Sequence, residues 1–169
     1  MLYNDINLEQ EVYREDVLEM ARWLSDEEVL KYLNEKDSIA SSLSSLAQTT
    51  NAPVMTHYFN SNGYFYMIEH KKKSIGYLKI IPKGKNAEMV IAIGDKEKWG
   101  RGIGTLAIKR GLNEAFLNYR VEEVIAKINK ENHRSERVFK KAGFTEEKEL
   151  KRETQYSLTF NNYMNQYRG

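Results

Sequence analysis

At 169 residues, with 41% hydrophobic and 30% charged residues, the chain has the size and composition of one soluble domain with its own core. It holds no cysteine, which excludes a disulfide framework, a thiolate metal site and a cysteine nucleophile, and makes a reducing cytoplasm the expected setting. The net charge of +2 is unevenly spread: 11 acidic and 4 basic residues in 1–60 against 13 and 22 in 61–169, so one part suits a cation and the other an anion.

A first strand is predicted near Leu2–Leu8, in a segment with no apolar signal-peptide core. A helix follows, in which Val17, Met20, Ala21 and Leu24 recur at i, i+3, i+4 and i+7. Ser25 reads as the N-cap of a second helix, with Glu28 completing a capping box and Val29, Leu30 and Leu33 on its apolar side. A weaker helix covers Ser38–Gln48, and the Asn-, Pro-, Ser- and Gly-bearing stretch Thr49–Gly63 reads as a loop. From Tyr64 the hydrophobic period becomes that of strands. Tyr64–His70 and Ser74–Ile81 flank a hairpin connection at Lys71-Lys72-Lys73, and Glu88–Gly94 is a more buried third strand. A glycine-rich turn then leads into a long helix ending near Tyr119, with Ile108, Leu112, Ala115 and Tyr119 on one face.

Val121–Ile128 is a strand, and Ser135, Val138, Phe139 and Ala142 stripe the next helix, which Gly143 ends in the left-handed C′ position with Phe144 beside it. Strands near Thr145–Leu150 and Thr154–Phe160 close the domain, and the polar tail Asn161–Gly169 is expected to be loosely held. The order β-α-α-β-β-β-α-β-α-β-β describes an α+β (mixed α/β) fold, a mixed sheet with helices on both faces, in a single domain spanning 1–169. No apolar run is long enough to cross a bilayer, and the basic residues lack any nucleic-acid-binding signature, so neither a membrane nor a nucleic acid is expected as partner.

The strongest chemical signal is Lys98-Trp99-Gly100-Arg101-Gly102-Ile103-Gly104-Thr105. Three glycines at alternate positions bare the backbone N–H groups where a strand meets a helix N-terminus, whose dipole also favours an anion. Arg101 adds a planar cation able to fork onto a phosphate, so the turn reads as a phosphate or pyrophosphate cradle. A tight strand-to-helix connection without a ligand is the alternative. The chain has no Walker A run, and Thr105 stands where a dinucleotide fingerprint built on Gly100 and Gly102 needs its third glycine.

The segment Glu88–Thr105, followed by Asn132–Phe144, resembles the GNAT superfamily of N-acetyltransferases. Gly102 and Gly104 match the small positions of the family's acetyl-CoA turn, Gln/Arg-x-x-Gly-x-Gly/Ala, with Trp99 where Gln or Arg is commoner. Asn132-x-x-Ser135 with Phe139, Lys141, Gly143 and Phe144 resembles the second motif. The resemblance implies acetyl-CoA as cosubstrate with no metal, a sheet and CoA site in 63–160, and acceptor-side helices and loop in 1–62. It assigns Ile91, Ala92 and Ile93 to main-chain contacts with the pantetheine arm, and Trp99, Gly100, Arg101, Gly102, Ile103, Gly104 and Thr105 to the cradle. Asn132 and Ser135 would meet the arm, although an N-cap alone also explains Asn132.

Acetyl transfer needs a neutral amine, and an alkyl ammonium has a pKa near ~10, so a base must help. Glu88, at the start of the third strand, is the candidate base acting through water. Many family members place a tyrosine proton donor where this chain has Phe139, seven residues after Asn132. Tyr66 or Tyr64, or water, is left for that role. On the acceptor side, Asp26 and Glu27 supply negative charge, and Trp23, Tyr32, Tyr58, Phe59 and Tyr64 supply aromatic faces for a cationic amine. The expected activity is direct transfer, in a ternary complex, to the primary amine of a small cationic molecule, such as an aminoglycoside-like or polyamine-like one. Acetylation of a protein N-terminus, a catalytically silent acyl-CoA-binding module suggested by Phe139, and a nicotinamide-nucleotide protein are the alternatives.

Overall fold

A computed structural model describes residues 5–168. The chain enters on strand β1 (Ile6–Glu9); residues 2–4 of the expected first strand lie outside the described residues. Helix α1 (Arg14–Leu24) buries the predicted stripe of Val17, Met20, Ala21 and Leu24, together with Trp23. Ser25 does not start the next helix. It ends α1, its hydroxyl donating to the carbonyl of Arg22 at 2.7 Å, and Asp26 instead caps the one-turn α2 (Glu27–Leu30) by accepting from the Glu28 amide. Helix α3 (Ile39–Thr49) packs on α1, and Arg14 donates to the carbonyls of Ala47 and Thr50 at its C-terminal end.

Three antiparallel strands follow: β2 (Tyr64–His70), β3 (Lys73–Lys83) and β4 (Asn86–Ile93). The β2–β3 turn is Lys71-Lys72 alone, both with positive φ (52° and 67°), the backbone of a two-residue hairpin; Lys73 already pairs with His70. Helix α4 (Ile103–Asn113) is shorter than its apolar face suggests, because Glu114–Asn118 widens into a π turn closed by the Tyr119 amide on the carbonyl of Glu114 at 2.9 Å. Strand β5 (Glu123–Asn129), helix α5 (His133–Lys141), β6 (Thr145–Glu149) and β7 (Glu153–Thr159) come next. Gly143 has φ 107°, its amide and that of Phe144 reach back to the carbonyls of Lys140 and Phe139, and the Phe139 and Phe144 rings meet edge-on at 5.1 Å. That is the expected helix stop with its hydrophobic contact.

The tail differs from expectation. Phe160–Asn165 forms helix α6, Tyr163 is buried against Phe116, and Gln166 donates to the carbonyl of Ala142 at 3.4 Å. Tyr163 and Met164 place apolar groups among the polar ones of this segment, and they anchor it.

The seven strands form one mixed sheet in the order β1-β2-β3-β4-β5-β7-β6, parallel at β4–β5 and antiparallel elsewhere. Alternate strand residues feed two cores. Tyr66, Ile68 and Leu78 face α4, α5 and α6, whereas Phe65, Met67 and Tyr77 face α1 and α3. No helix among the described residues is long and apolar enough to cross a membrane.

Candidate active site

The parallel pair holds for three residues only, Asn86–Glu88 against Glu123–Ile125. Beyond it β4 stays paired with β3 as far as Ile93, and β5 stays paired with β7 as far as Asn129. Two strands held by their outer neighbours therefore part at the middle of the sheet, and β4 turns an unpaired backbone edge into the gap.

The gap opens into a cleft of about 350 Å³. Ile91, Ala92 and Ile93 form one wall, Trp99, Gly100, Gly102, Gly104 and Thr105 the end, and Asn132 and Ser135 the other wall. Gly100 (φ 73°) and Gly102 (φ 78°) both sit in the left-handed region, and Gly102 is the N-cap of α4. A Cβ at either would meet nothing, so backbone conformation alone demands glycine here. Helix geometry leaves the Ile103, Gly104 and Thr105 amides without intrahelical acceptors; the first such bond is Leu106 to the carbonyl of Gly102, at 3.2 Å. Thr105 also holds a buried hydroxyl with no hydrogen-bond partner among the described residues. An oxyanion at this end of the cleft would satisfy amides and hydroxyl together.

Trp99 locks the turn to the strand, its indole N–H donating to the carbonyl of Ile93 at 2.8 Å, while Arg134 lies over the ring at 3.4 Å from its centroid. Burial pulls the Arg134 pKa below its usual value, and Arg137 pulls the same way against Glu28 and Tyr32. Arg134 and Arg137, both lining the cleft, were missed by the sequence reading, which followed the apolar stripe of this helix; their own signal is the basic spacing 134, 137, 141. Arg101, conversely, is exposed, and the side chain of Ile103 points into the core; neither side chain lines the cleft, where the guanidinium groups are those of Arg134 and Arg137 on α5. Asn132 caps α5, its Oδ1 accepting from the Ser135 amide at 3.2 Å, which leaves its Nδ2 donors for the cleft it lines.

A chamber of about 220 Å³ holding Glu88 and Phe139 adjoins the cleft, the two sharing Tyr32, Leu33, Ile91, Asn132 and Ser135 as walls. Glu88 is largely buried there, 3.6 Å from Lys127. Through Glu35, Tyr77, Lys79 and Ile81 the chamber adjoins a third space between α1, α3 and the loop before β2, to which Tyr58, Phe59 and Tyr64 contribute.

Several expected residues lie elsewhere. Tyr66 is buried in the core on the α4 side, its hydroxyl bonded to that of Tyr119, and desolvation with that bond raises its pKa; it lines none of these three spaces. Trp23 is buried against Gly94, where a Cβ would fall 2.1 Å from the indole, and Asp26 is bound to Lys96 at 2.7 Å. Glu27 is exposed at the start of α2 and lines no part of the cleft. The acidic patch thus serves a helix cap and a surface ion pair.

The family model described as acetyltransferase (GNAT) domain matches residues 10–145. The chain belongs to the GNAT acetyltransferase family. Among solved structures, this acetyltransferase is similar to aminoglycoside acetyltransferase AAC(6')-Ib in complex with coenzyme A, at 13% identity and a TM-score of 0.77 over 96% of this chain and 99% of that one. It is similar to Vibrio cholerae spermidine N-acetyltransferase in complex with CoA and spermine, at 18% identity and a TM-score of 0.75 over 95% and 99%. A third is the Campylobacter jejuni N-acetyltransferase PseH, at 16% identity and a TM-score of 0.64 over 92% and 99%. At these identities the likeness is one of fold. No curated protein sequence matches the acetyltransferase significantly.

Proposed function

We propose that this protein transfers the acetyl group of acetyl-CoA to the primary amine of a small molecule, cationic in solution, by direct attack in a ternary complex. The observation that carries the reading is the parting of β4 from β5 after Glu88, beside which a helix end with free amides and a chamber holding a carboxylate share walls. The α4 amides and Thr105 hydroxyl suit the pyrophosphate, and Arg134 and Arg137 add positive charge for the nucleotide end. The unpaired edge of β4 suits the amides of the pantetheine arm, which brings the thioester to the gap. The solved CoA complexes of the neighbouring folds support the same cosubstrate.

Glu88 takes a proton from the ammonium through water, and the freed amine attacks the thioester carbonyl. An unpaired β4 amide facing the gap stabilises the tetrahedral oxyanion, which collapses with loss of the CoA thiolate. Phe139 cannot protonate that thiolate; Tyr32, which lines both the cleft and the chamber, gives it a proton and regains one from the acylated nitrogen, which leaves as the neutral amide. The test is thiol release from acetyl-CoA across an amine panel. Acetyl-CoA binding without turnover of any amine would refute the transferase reading and leave a silent binding module.

A further inference from the structure

The third space is built for something other than a polycation. Its volume is about 350 Å³, and its walls include Leu24, Leu43, Leu46, Tyr58, Phe59 and Tyr64. Among the described residues, the charged side chains lining it are Glu35 and Lys79, which neutralise each other at 3.1 Å. Lys79 also stands 5.5 Å from the centre of the Tyr77 ring, so the aromatic face that could hold a ligand ammonium already carries one of the protein's own. The adjoining chamber is lined by three carboxylates (Glu35, Glu88 and Glu153) and two ammonium groups (Lys79 and Lys127), an excess of one negative charge. One ammonium is balanced beside the thioester; a second, pushed on among leucines and aromatic rings, would find the uncharged side chains of Ser61 and Asn62 and no free carboxylate among the described residues.

We propose that the acceptor is a small free monoamine whose apolar or aromatic body fills the pocket between α1, α3 and the Tyr58–Tyr64 loop, with its single ammonium in the Glu35–Glu88 chamber. This rests on the transferase reading and narrows it. Polyamines and aminoglycosides, which the neighbouring folds are named for, are the wrong class of acceptor for this chain.

The experiment measures thiol release from acetyl-CoA with 2-phenylethylamine, spermidine, kanamycin and a tetrapeptide beginning with Phe. The expected result is kcat/KM for 2-phenylethylamine at least about tenfold above each of the others. Spermidine or kanamycin turned over as well or better overturns the proposal while leaving the transferase reading intact, and so does preference for the tetrapeptide. No turnover with any amine overturns both. Lys79→Met frees Glu35 and the Tyr77 face, and should raise the spermidine to phenylethylamine ratio by about tenfold. Its acetyl-CoA affinity, measured by calorimetry, verifies that the variant is folded; an unchanged ratio in a variant that binds acetyl-CoA normally counts against the proposal.

Discussion

Replacing Arg134 by alanine separates a ligand-binding role from a structural one, because the two predict opposite patterns. In the free protein the guanidinium gains its stack on Trp99, 3.4 Å from the ring centre, worth about 0.5–2 kcal/mol. Against that stands the desolvation that lowers its pKa, with Arg137 adding repulsion. The two effects oppose each other, so Arg134→Ala should leave the stability of the free protein within about 1 kcal/mol of the parent. With CoA bound, the lost charge-assisted bond to a phosphate is worth about 1.5–3 kcal/mol, or about 10- to 150-fold in Kd. Calorimetric titration of CoA, with thermal unfolding in its presence and absence, reads both quantities. Arg134→Lys should recover part of the affinity, since the charge returns without the stacked planar fork. A large fall in the unfolding midpoint without CoA, with Kd unchanged, would show that Arg134 merely braces Trp99 and would refute the reasoning.

Gly102→Val forces a β-branched residue into φ 78°, so the helix start must re-form; CoA affinity should fall at least about tenfold while circular dichroism stays that of the parent, and an unchanged affinity would remove the cradle. Glu88→Gln should lower kcat/KM for the amine about 100-fold, leave the acetyl-CoA Kd as it was, and recover in part at alkaline pH as the amine loses its own proton; equal activity at neutral pH excludes Glu88 as base. Asp26 has its pKa lowered, first by the hydrogen bond from Lys96 and then by the Glu28 amide, so it contributes stability above its unfolded value of about 3.8 that is lost as pH falls through the folded value. Unfolding curves of Asp26→Asn should therefore converge with the parent's at acid pH and diverge at neutral pH. In hydrogen exchange, the β4 amides that face the gap should exchange fast in the free protein and gain protection with CoA, whereas those paired to β3 should be protected in both; no gain would place the arm elsewhere.

The glycine turn and the cleft it lines were legible in the sequence because their requirements are local. Glycines at positive φ, a helix start and the Asn132 cap are decided within a few residues, and the structure brings 100, 102, 104, 105, 132 and 135 to one cleft. The acceptor side was not, because its residues meet only through tertiary packing. Asp26 and Glu27 offer carboxylates close in sequence to Trp23, yet α2 is one turn long and turns them toward Lys96 or solvent. Tyr64 and Tyr66 share one face of β2 and both contact Tyr119, but Tyr64, at the start of the strand, alone also lines the space between α1, α3 and the loop before β2. The parting of β4 from β5 has no local signature either; it follows from each strand finding a longer partner on its other side.

That division of partners explains why the site stays open and what it selects. β4 exchanges hydrogen bonds with β3 along its whole length, and β5 does so with β7, so neither needs the other to remain a strand. Closing the gap would satisfy the inner edges, but beyond Glu88 the two strands stay apart, with Leu33, Ile91 and Phe139 among the residues lining the chamber there. The backbone groups left facing the gap are worth about 1–3 kcal/mol each when desolvated and unpaired. Water can satisfy them in the free protein, and a ligand that expels the water must bring amides of its own at strand-like spacing. An alkyl chain of similar length would leave those groups unpaired, whereas the pantetheine arm carries two amides. In the proposed complex, recognition of the donor would therefore rest on the same unpaired edge that steers its thioester toward Glu88, and phosphates at α4 would add affinity without having to define the register.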